Sequence, residues 1–286
     1  MSNFYKLQNH KFIYNSDDDK INHLIRNDIK LSQNNESLQT FLFVQNKEDY
    51  RFVENLDYTV ITAQMLLNNF DSIIFQPIPI DIECEQPEIY DTLFTLFSII
   101  HGYCTPIEAQ YIYKALNVML SYNKKCTFND LLFYLSMYIN NDNISLFNDI
   151  CLFHKKLATI ISTDNLHIKN KLIVIDLTDC MEEIYDSCFL IALKFVKNMM
   201  YSNYKQLLKT HIIITDINRK SPKLIEYLQH FLRRMRSHGC SISIYSNDFS
   251  VIQSKYFVPI LNNVNEILCF PSNTKEMNYL NNLKLI

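Results

Sequence analysis

The stretch His211–Tyr245, HIIITDINRKSPKLIEYLQHFLRRMRSHGCSISIY, contains a strand, a helix and a second strand in 35 residues. His211-Ile-Ile-Ile-Thr-Asp216 is an apolar run ending in an acid. Ser221 offers an N-cap, Pro222 a first helical residue and Gly239 a helix stop. Between them Leu224, Ile225, Leu228, Phe231, Leu232 and Met235 recur at helical spacing and define one apolar face. Ser241–Tyr245 is again strand-like. A continuous apolar strand is one covered on both faces, and a helix joining two such strands makes them parallel neighbours in an α/β sheet.

The same grammar extends outward from this stretch. Lys171-Leu-Ile-Val-Ile-Asp176 is another apolar strand ending in an acid, followed by a long helical pattern over Glu182–Tyr204. Near the start, Lys11–Tyr14, Phe41–Val44, Tyr58–Ile61 and Ser72–Phe75 read as strands, and Ile21–Leu31 as a helix. Gln76-Pro-Ile-Pro79 then stops regular structure, because proline removes a backbone donor and restricts its predecessor. From Glu88 to Ile161 the patterns are helical only: Tyr90–Ile100, a helix opened by Thr105-Pro106, another opened by Thr127, and Phe147–Ile161. Glu266–Phe270 supplies a last strand. The expected architecture is an α/β core over 1–84 and 165–286 with a mostly parallel sheet, interrupted by an all-α insertion over 85–164.

Composition removes several chemistries. The 286 residues include only two glycines, Gly102 and Gly239, against roughly 20 at average usage. A phosphate-cradling loop or a dinucleotide fingerprint needs about three close together. A GxSxG nucleophile elbow is ruled out by the same scarcity. The net charge of −3 argues against a generally basic nucleic-acid binder but permits a local patch. Eight cysteines form no CxxC, and the eight histidines form no zinc-type spacing. Reduced thiols and no metal are therefore expected. No apolar stretch reaches the length of a membrane span, and no secretory signal opens the chain, so a cytoplasmic location is expected.

Three features carry potential chemistry. Asp176 and Asp216 end strands, where a carboxylate can orient a magnesium-bound water; acids also sit there simply because the chain has reached solvent. Asp17-Asp18-Asp19-Lys20 lies between a strand and a helix, where a phosphate loop would sit. The plain reading is an acidic helix start favoured by the helix dipole. Arg233, Arg234 and Arg236, with Arg219, Lys220 and Lys223 near the other end of the same helix, offer a nucleic-acid contact, an arginine for a neighbouring subunit, or cations complementing a helix C-terminus.

Taken in order, these segments resemble a known family. Phe12–Lys20 sits where a phosphate loop belongs, and Phe41–Tyr50 resembles a second strand with its turn, including Glu48-Asp49-Tyr50. Phe75-Gln-Pro77 is similar to an Asn-Pro turn, and Thr105-Pro-Ile-Glu108 to a helix start in the insertion. Leu172–Leu177 resembles a strand ending in Asp, His211–Asp216 the Walker B strand and Phe231–Gly239 an arginine-rich helix. Ser241–Asn247 sits where a Thr-Gln strand belongs. This order is that of the C-terminal ATPase domain of conjugative-transfer (type IV secretion) ATPases of the TraC/TraE kind, within the HerA/FtsK-like P-loop motors. The resemblance implies a RecA-like fold. Aligning Lys20 with the Walker lysine puts Tyr14, Asp17 and Asp19 on the glycines and Ile21 on the magnesium-binding Ser/Thr. Asp216 keeps the Walker B acid, but Ile217 replaces the catalytic Glu and Tyr245-Ser246 the Thr-Gln sensor.

The resemblance thus implies a degenerate, catalytically inactive copy. It would be a structural or regulatory subunit of a bacterial transfer apparatus, with no bound cofactor. Its partners would be an active transfer ATPase, reached through Arg234 or Arg236, or other type IV secretion subunits, and a homo-oligomer is compatible with it. Partners would bring it to the inner face of the cell membrane. The alternatives are a divergent ATPase using ATP and magnesium through Lys20 and Asp216, a DNA-binding module presenting Arg233–Arg236, and a decaying gene copy.

Overall fold

The computed structural model describes residues 9–75, 82–122, 126–158, 168, 170–205, 208–215, 217, 220–235 and 238–282. In chain order the elements are β1 (Lys11–Asn15), α1 (Asp18–Gln33), β2 (Leu38–Val44), a 3-10 helix (Lys47–Phe52), β3 (Thr59–Thr62), α2 (Ala63–Asn68) and α3 (Phe70–Phe75). Then come α4 (Ile82–His101), α5 (Pro106–Tyr122), α6 (Phe128–Ser136), α7 (Ile144–Ala158), β4 (Leu172–Asp176), a 3-10 turn (Glu182–Ile184) and α8 (Tyr185–Lys205). The chain continues with β5 (Lys209–Ile214), α9 (Pro222–Met235), β6 (Cys240–Ser246), α10 (Phe249–Gln253), α11 (Val258–Leu261), β7 (Glu266–Phe270) and α12 (Thr274–Asn282).

The chain divides into two compact units. The first, residues 1–61, 167–179 and 202–286, carries a parallel sheet in the order β3-β4-β2-β5-β6-β1-β7. β1 lies between β6 and β7, pairing Phe12 with Ile244 on one side and Ile267 on the other. β5 lies between β2 and β6, with Ile212 opposite Phe41 and Ile242. β6 therefore separates β1 from β5. Parallel strands all finish at the same edge, so the segments after β1, β2, β5 and β6 meet there, the usual place for a ligand in an open α/β sheet.

The strands hold because both of their faces are covered. Every residue of β1, β2 and β6 is buried. Ile21, Ile25 and Ile29, four apart on α1, pack with Ile13, Leu42, Val174, Ile213 and Tyr245. Burying each such aliphatic side chain stabilises by about 1.5–3 kcal/mol. All six predicted apolar positions of α9 are buried. The helix starts where Ser221 Oγ accepts the Leu224 N–H at 3.3 Å, and Gly239 follows it with φ +70°, a backbone conformation that suits glycine.

The second unit, residues 62–166 and 180–201, is helical. Phe128 is its centre, with rings of Phe70, Phe97 and Phe153 at 5.0–6.3 Å. Capping boxes start two helices: Thr105 with Glu108, and Thr127 with Asp130. His101 lies between Asp149 at 2.6 Å and Glu108 at 3.3 Å, fastening α4 to α5 and α7. Between 82 and 158 the described residues form only helices and their connections.

Two readings change. Ser72–Phe75 is not a strand but the end of α3, with Phe70, Ile73 and Ile74 buried. A four-residue apolar run does not separate a buried strand from a buried helix, and the spacing of Phe70, Ile73 and Ile74 is helical. The helical unit also extends beyond 85–164. It takes in α2 and α3, and most of α8, because Lys194 and Lys197 of α8 pair with Glu88 of α4, and Asn198 Nδ2 donates to the Ile73 carbonyl at 2.8 Å. The Gln76–Pro79 break lies outside the described residues.

Candidate functional site at the C-terminal edge of the sheet

Only Ser16 and Asp17 separate β1 from α1. Asn15 Oδ1 accepts the Asp17 N–H at 3.0 Å. Asp17 is the N-cap, and its Oδ1 accepts from the Asp19 and Lys20 N–H groups at 3.1 and 3.3 Å. Lys20 Nζ returns to Asp17 Oδ2 at 3.1 Å. That contact and the backbone donors hold the Asp17 carboxyl below its usual range. The helix N-terminus, where an anion binds in many proteins, thus receives the chain's own carboxylate.

The end of β1 is also filled. Tyr14 is 1% exposed, and its burial, with the Glu276 carboxylate of α12 nearby, raises its pKa. Glu276 is held by the Ser272 N–H at 2.9 Å and Asn273 Nδ2 at 2.8 Å. The Tyr14 ring lies 5.6 Å from Phe249, which lies 5.5 Å from Tyr279. Of the other candidate loop residues, Asp19 and Lys20 are exposed in the first turn of α1, and Ile21 is buried in the core.

Beside this plug is a polar cavity of ≈ 520 Å³ between α1, the 3-10 helix after β2, and the ends of β5 and β6. Asp18, Asn22, Asn46, Glu48, Arg51 and Asn247 line it. Asn247 Nδ2 donates to Asp18 Oδ1 at 2.8 Å. Asp49 forms part of its wall. It accepts from the Gln45 and Asn46 N–H groups at 3.3 and 3.4 Å and from Thr215 Oγ1 at 3.1 Å, while burial pushes its pKa upward. This tie between the ends of β2 and β5 was not legible in the sequence; the Glu48-Asp49-Tyr50 turn was its one available signal.

Asp176 ends β4 as read, but both of its oxygens serve the local fold. Oδ2 accepts the Tyr50 hydroxyl at 2.6 Å, and Oδ1 the Thr178 N–H at 2.9 Å. Asp216, Arg219 and Arg236 lie outside the described residues. Arg233 and Arg234 are exposed in the last turn of α9. Ile217, which the resemblance aligns with the catalytic Glu, is buried, as are Tyr245 and Ser246. Among the described residues no cluster of His, Cys, Asp or Glu has a metal-holding arrangement, and no helix is long and apolar enough to cross a membrane.

No protein-family model matches the chain, and no curated protein matches it. Solved structures do. VirB4 of Thermoanaerobacter pseudethanolicus is similar over 97% of this chain and 81% of that one, with a TM-score of 0.72 at 13% identity. The bacterial conjugative coupling protein TrwBdeltaN70, in its unbound monoclinic form, is similar over 92% of this chain and 67% of that one, with a TM-score of 0.50 at 10% identity. At these identities the likeness shows the fold alone, a RecA-like α/β fold that this chain shares with those two proteins.

Proposed function

We propose that this chain is a catalytically inactive relative of the conjugative-transfer ATPases, acting as a structural or regulatory subunit of a type IV secretion apparatus. The observation that supports it most is the two-residue β1–α1 connection, whose helix end is capped by Asp17 and whose strand end is covered by Tyr14, Phe249 and Glu276. A phosphate placed there would displace a carboxylate cap and face Asp17, Asp18 and Asp19. One carboxylate about 4 Å from a phosphate charge costs on the order of 4 kcal/mol at an effective dielectric near 20, and the single Lys20 does not offset three.

In this reading the fold is retained for assembly. An arginine acting on a neighbour's nucleotide needs no phosphate loop in its own chain. The buried side of α9 leaves Arg233 and Arg234 at the surface. Titrating the wild-type chain into a cognate active transfer ATPase is expected to form a complex at micromolar concentration and to change the hydrolysis rate. The Arg234→Ala/Arg236→Ala variant is expected to lose the rate effect. Absence of both complex and rate change for the wild type rejects the partnership.

A further inference from the structure

The two edges of the parallel sheet carry opposite charge. At the edge where strands finish, Asp18, Glu48 and Asp49 line the polar cavity, and Asp19 is exposed in the same turn of α1. Lys20 is paired with Asp17 at 3.1 Å and Lys47 with Asp179 at 3.0 Å. That leaves Arg51, lying over the Phe52 ring, against the three carboxylates of the cavity wall. At the edge where strands start, Lys30, Lys171, Lys209, Arg233 and Arg234 are exposed, with Glu36 and Asp57 as exposed acids. The loops draw these cations together. The Lys209 N–H donates to the Ser37 carbonyl at 2.8 Å, and Lys171 Nζ to the neighbouring Glu36 carbonyl at 2.8 Å. Lys209 Cγ lies 3.8 Å from where a Cβ on Gly239 would be, in the turn that follows α9.

We propose that copies of this chain dock head to tail, the basic rim at the strand starts of one copy seating on the acidic cavity mouth of the next. Helix dipoles favour cations at the C-terminal ends of α1 and α9, but Lys171 and Lys209 stand at the starts of β4 and β5, where no helix dipole calls for them. The strands between the rims are five to seven residues long, about 17–23 Å at about 3.3 Å per residue. The rims of one chain therefore lie farther apart than the Debye length of about 10 Å at 0.1 M salt. Their complementarity is met only between copies. The net charge of −3 disfavours a polyanion on the basic rim, whereas a second copy brings the matching acidic surface itself.

A contact between two different surfaces is heterologous, so each pair keeps one rim of each kind and the row grows or closes into a ring. The contact is polar and steered by charge, so it weakens as salt is added. It does not depend on the ATPase partnership proposed above, because the last copy of a row still presents its α9 end to a different partner.

The test is sedimentation velocity of the nuclease-treated chain alone. Wild type is expected to gain mass with concentration at about 0.1 M salt and to return to monomer at about 1 M, where the Debye length is about 3 Å. Lys209→Gln/Arg233→Gln neutralises the basic rim, and Asp18→Asn/Glu48→Gln the acidic one. All four side chains are exposed, and surface changes of this kind disturb a fold little. Each variant alone should be monomeric. An equimolar mixture should form a dimer and stop there, because one intact basic rim meets one intact acidic rim. A wild type that stays monomeric up to about 0.1 mM overturns the proposal. So does association that both variants retain, and so does association that appears only on adding DNA, which would assign the basic rim to nucleic acid.

Discussion

Asp28→Ala is expected to lower the unfolding free energy by about 2–4 kcal/mol, because it takes from His211 and Tyr245 their shared buried acceptor, and a buried polar group left unsatisfied costs about 1–3 kcal/mol. Asp28 and His211 are both 0% exposed. Asp28 Oδ2 lies 3.2 Å from His211 Nε2 and accepts the Tyr245 hydroxyl at 3.0 Å. The other ring nitrogen of His211 is 2.7 Å from Ser241 Oγ. Burial alone would raise the Asp28 pKa. The field of His211, hydrogen bonds from His211 and Ser243, and the nearby Lys11 cation instead bring it down to about 2 from an ordinary 3.8. A carboxylate depressed in the folded state stabilises above its unfolded value. Its contribution is therefore complete above pH 3.8 and fades as pH falls through about 2. Urea unfolding at neutral pH measures the loss. A change below about 1 kcal/mol, the size of an ordinary substitution, contradicts this account of α1 tied to β5 and β6. In acid, the difference between wild type and variant should shrink.

Glu88→Ala is expected to cost a similar amount in the helical unit, about 3–5 kcal/mol. Glu88 of α4 meets Lys194 Nζ, and Lys197 Nζ lies 3.1 Å away. The lysine side chains are 1% and 5% exposed. Burial would raise Glu88, but the two ammonium groups outweigh it and hold the carboxyl below its usual range. Removing the carboxylate leaves two cations without their shared anion, and desolvated charge is costly. The double variant Glu88→Gln/Lys194→Met should recover part of the loss, because one buried charge goes with its partner. Thermal and urea unfolding test both changes. If the double variant is no more stable than Glu88→Ala, the cost does not arise from charge.

How far the sequence disclosed this depended on whether the information was local. The strands β2, β4, β5 and β7 were readable because each contains a continuous apolar run, and β6 because Ile242 and Ile244 alternate with serines at the strand period. α9 was readable from both ends, since cap, proline, periodicity and glycine agree. Ser72–Phe75 failed because four apolar residues carry no period of their own. α10 and α12 escaped notice because their apolar residues are few and dispersed; only Ile252 of α10 and Leu280 of α12 are fully buried. Asp28 lies seven residues after Ile21, hence on the same buried face of α1. That spacing was a signal, but it did not reveal a partner on β5 more than 180 residues away. At the candidate site, the missing glycines directed attention to the β1–α1 connection, where Asp17 caps α1. What fills the strand end came from Phe249, Glu276 and Tyr279, which no local pattern connects to Tyr14.

Calorimetry with Mg-ATP tests the central claim most directly. If the Asp17 cap and the Tyr14–Glu276 plug occupy the phosphate position, the wild-type chain should show no saturable heat up to about 1 mM nucleotide, corresponding to less than about 4 kcal/mol of binding. Micromolar binding that Lys20→Ala abolishes would contradict the account and identify the chain as a working nucleotide-binding subunit.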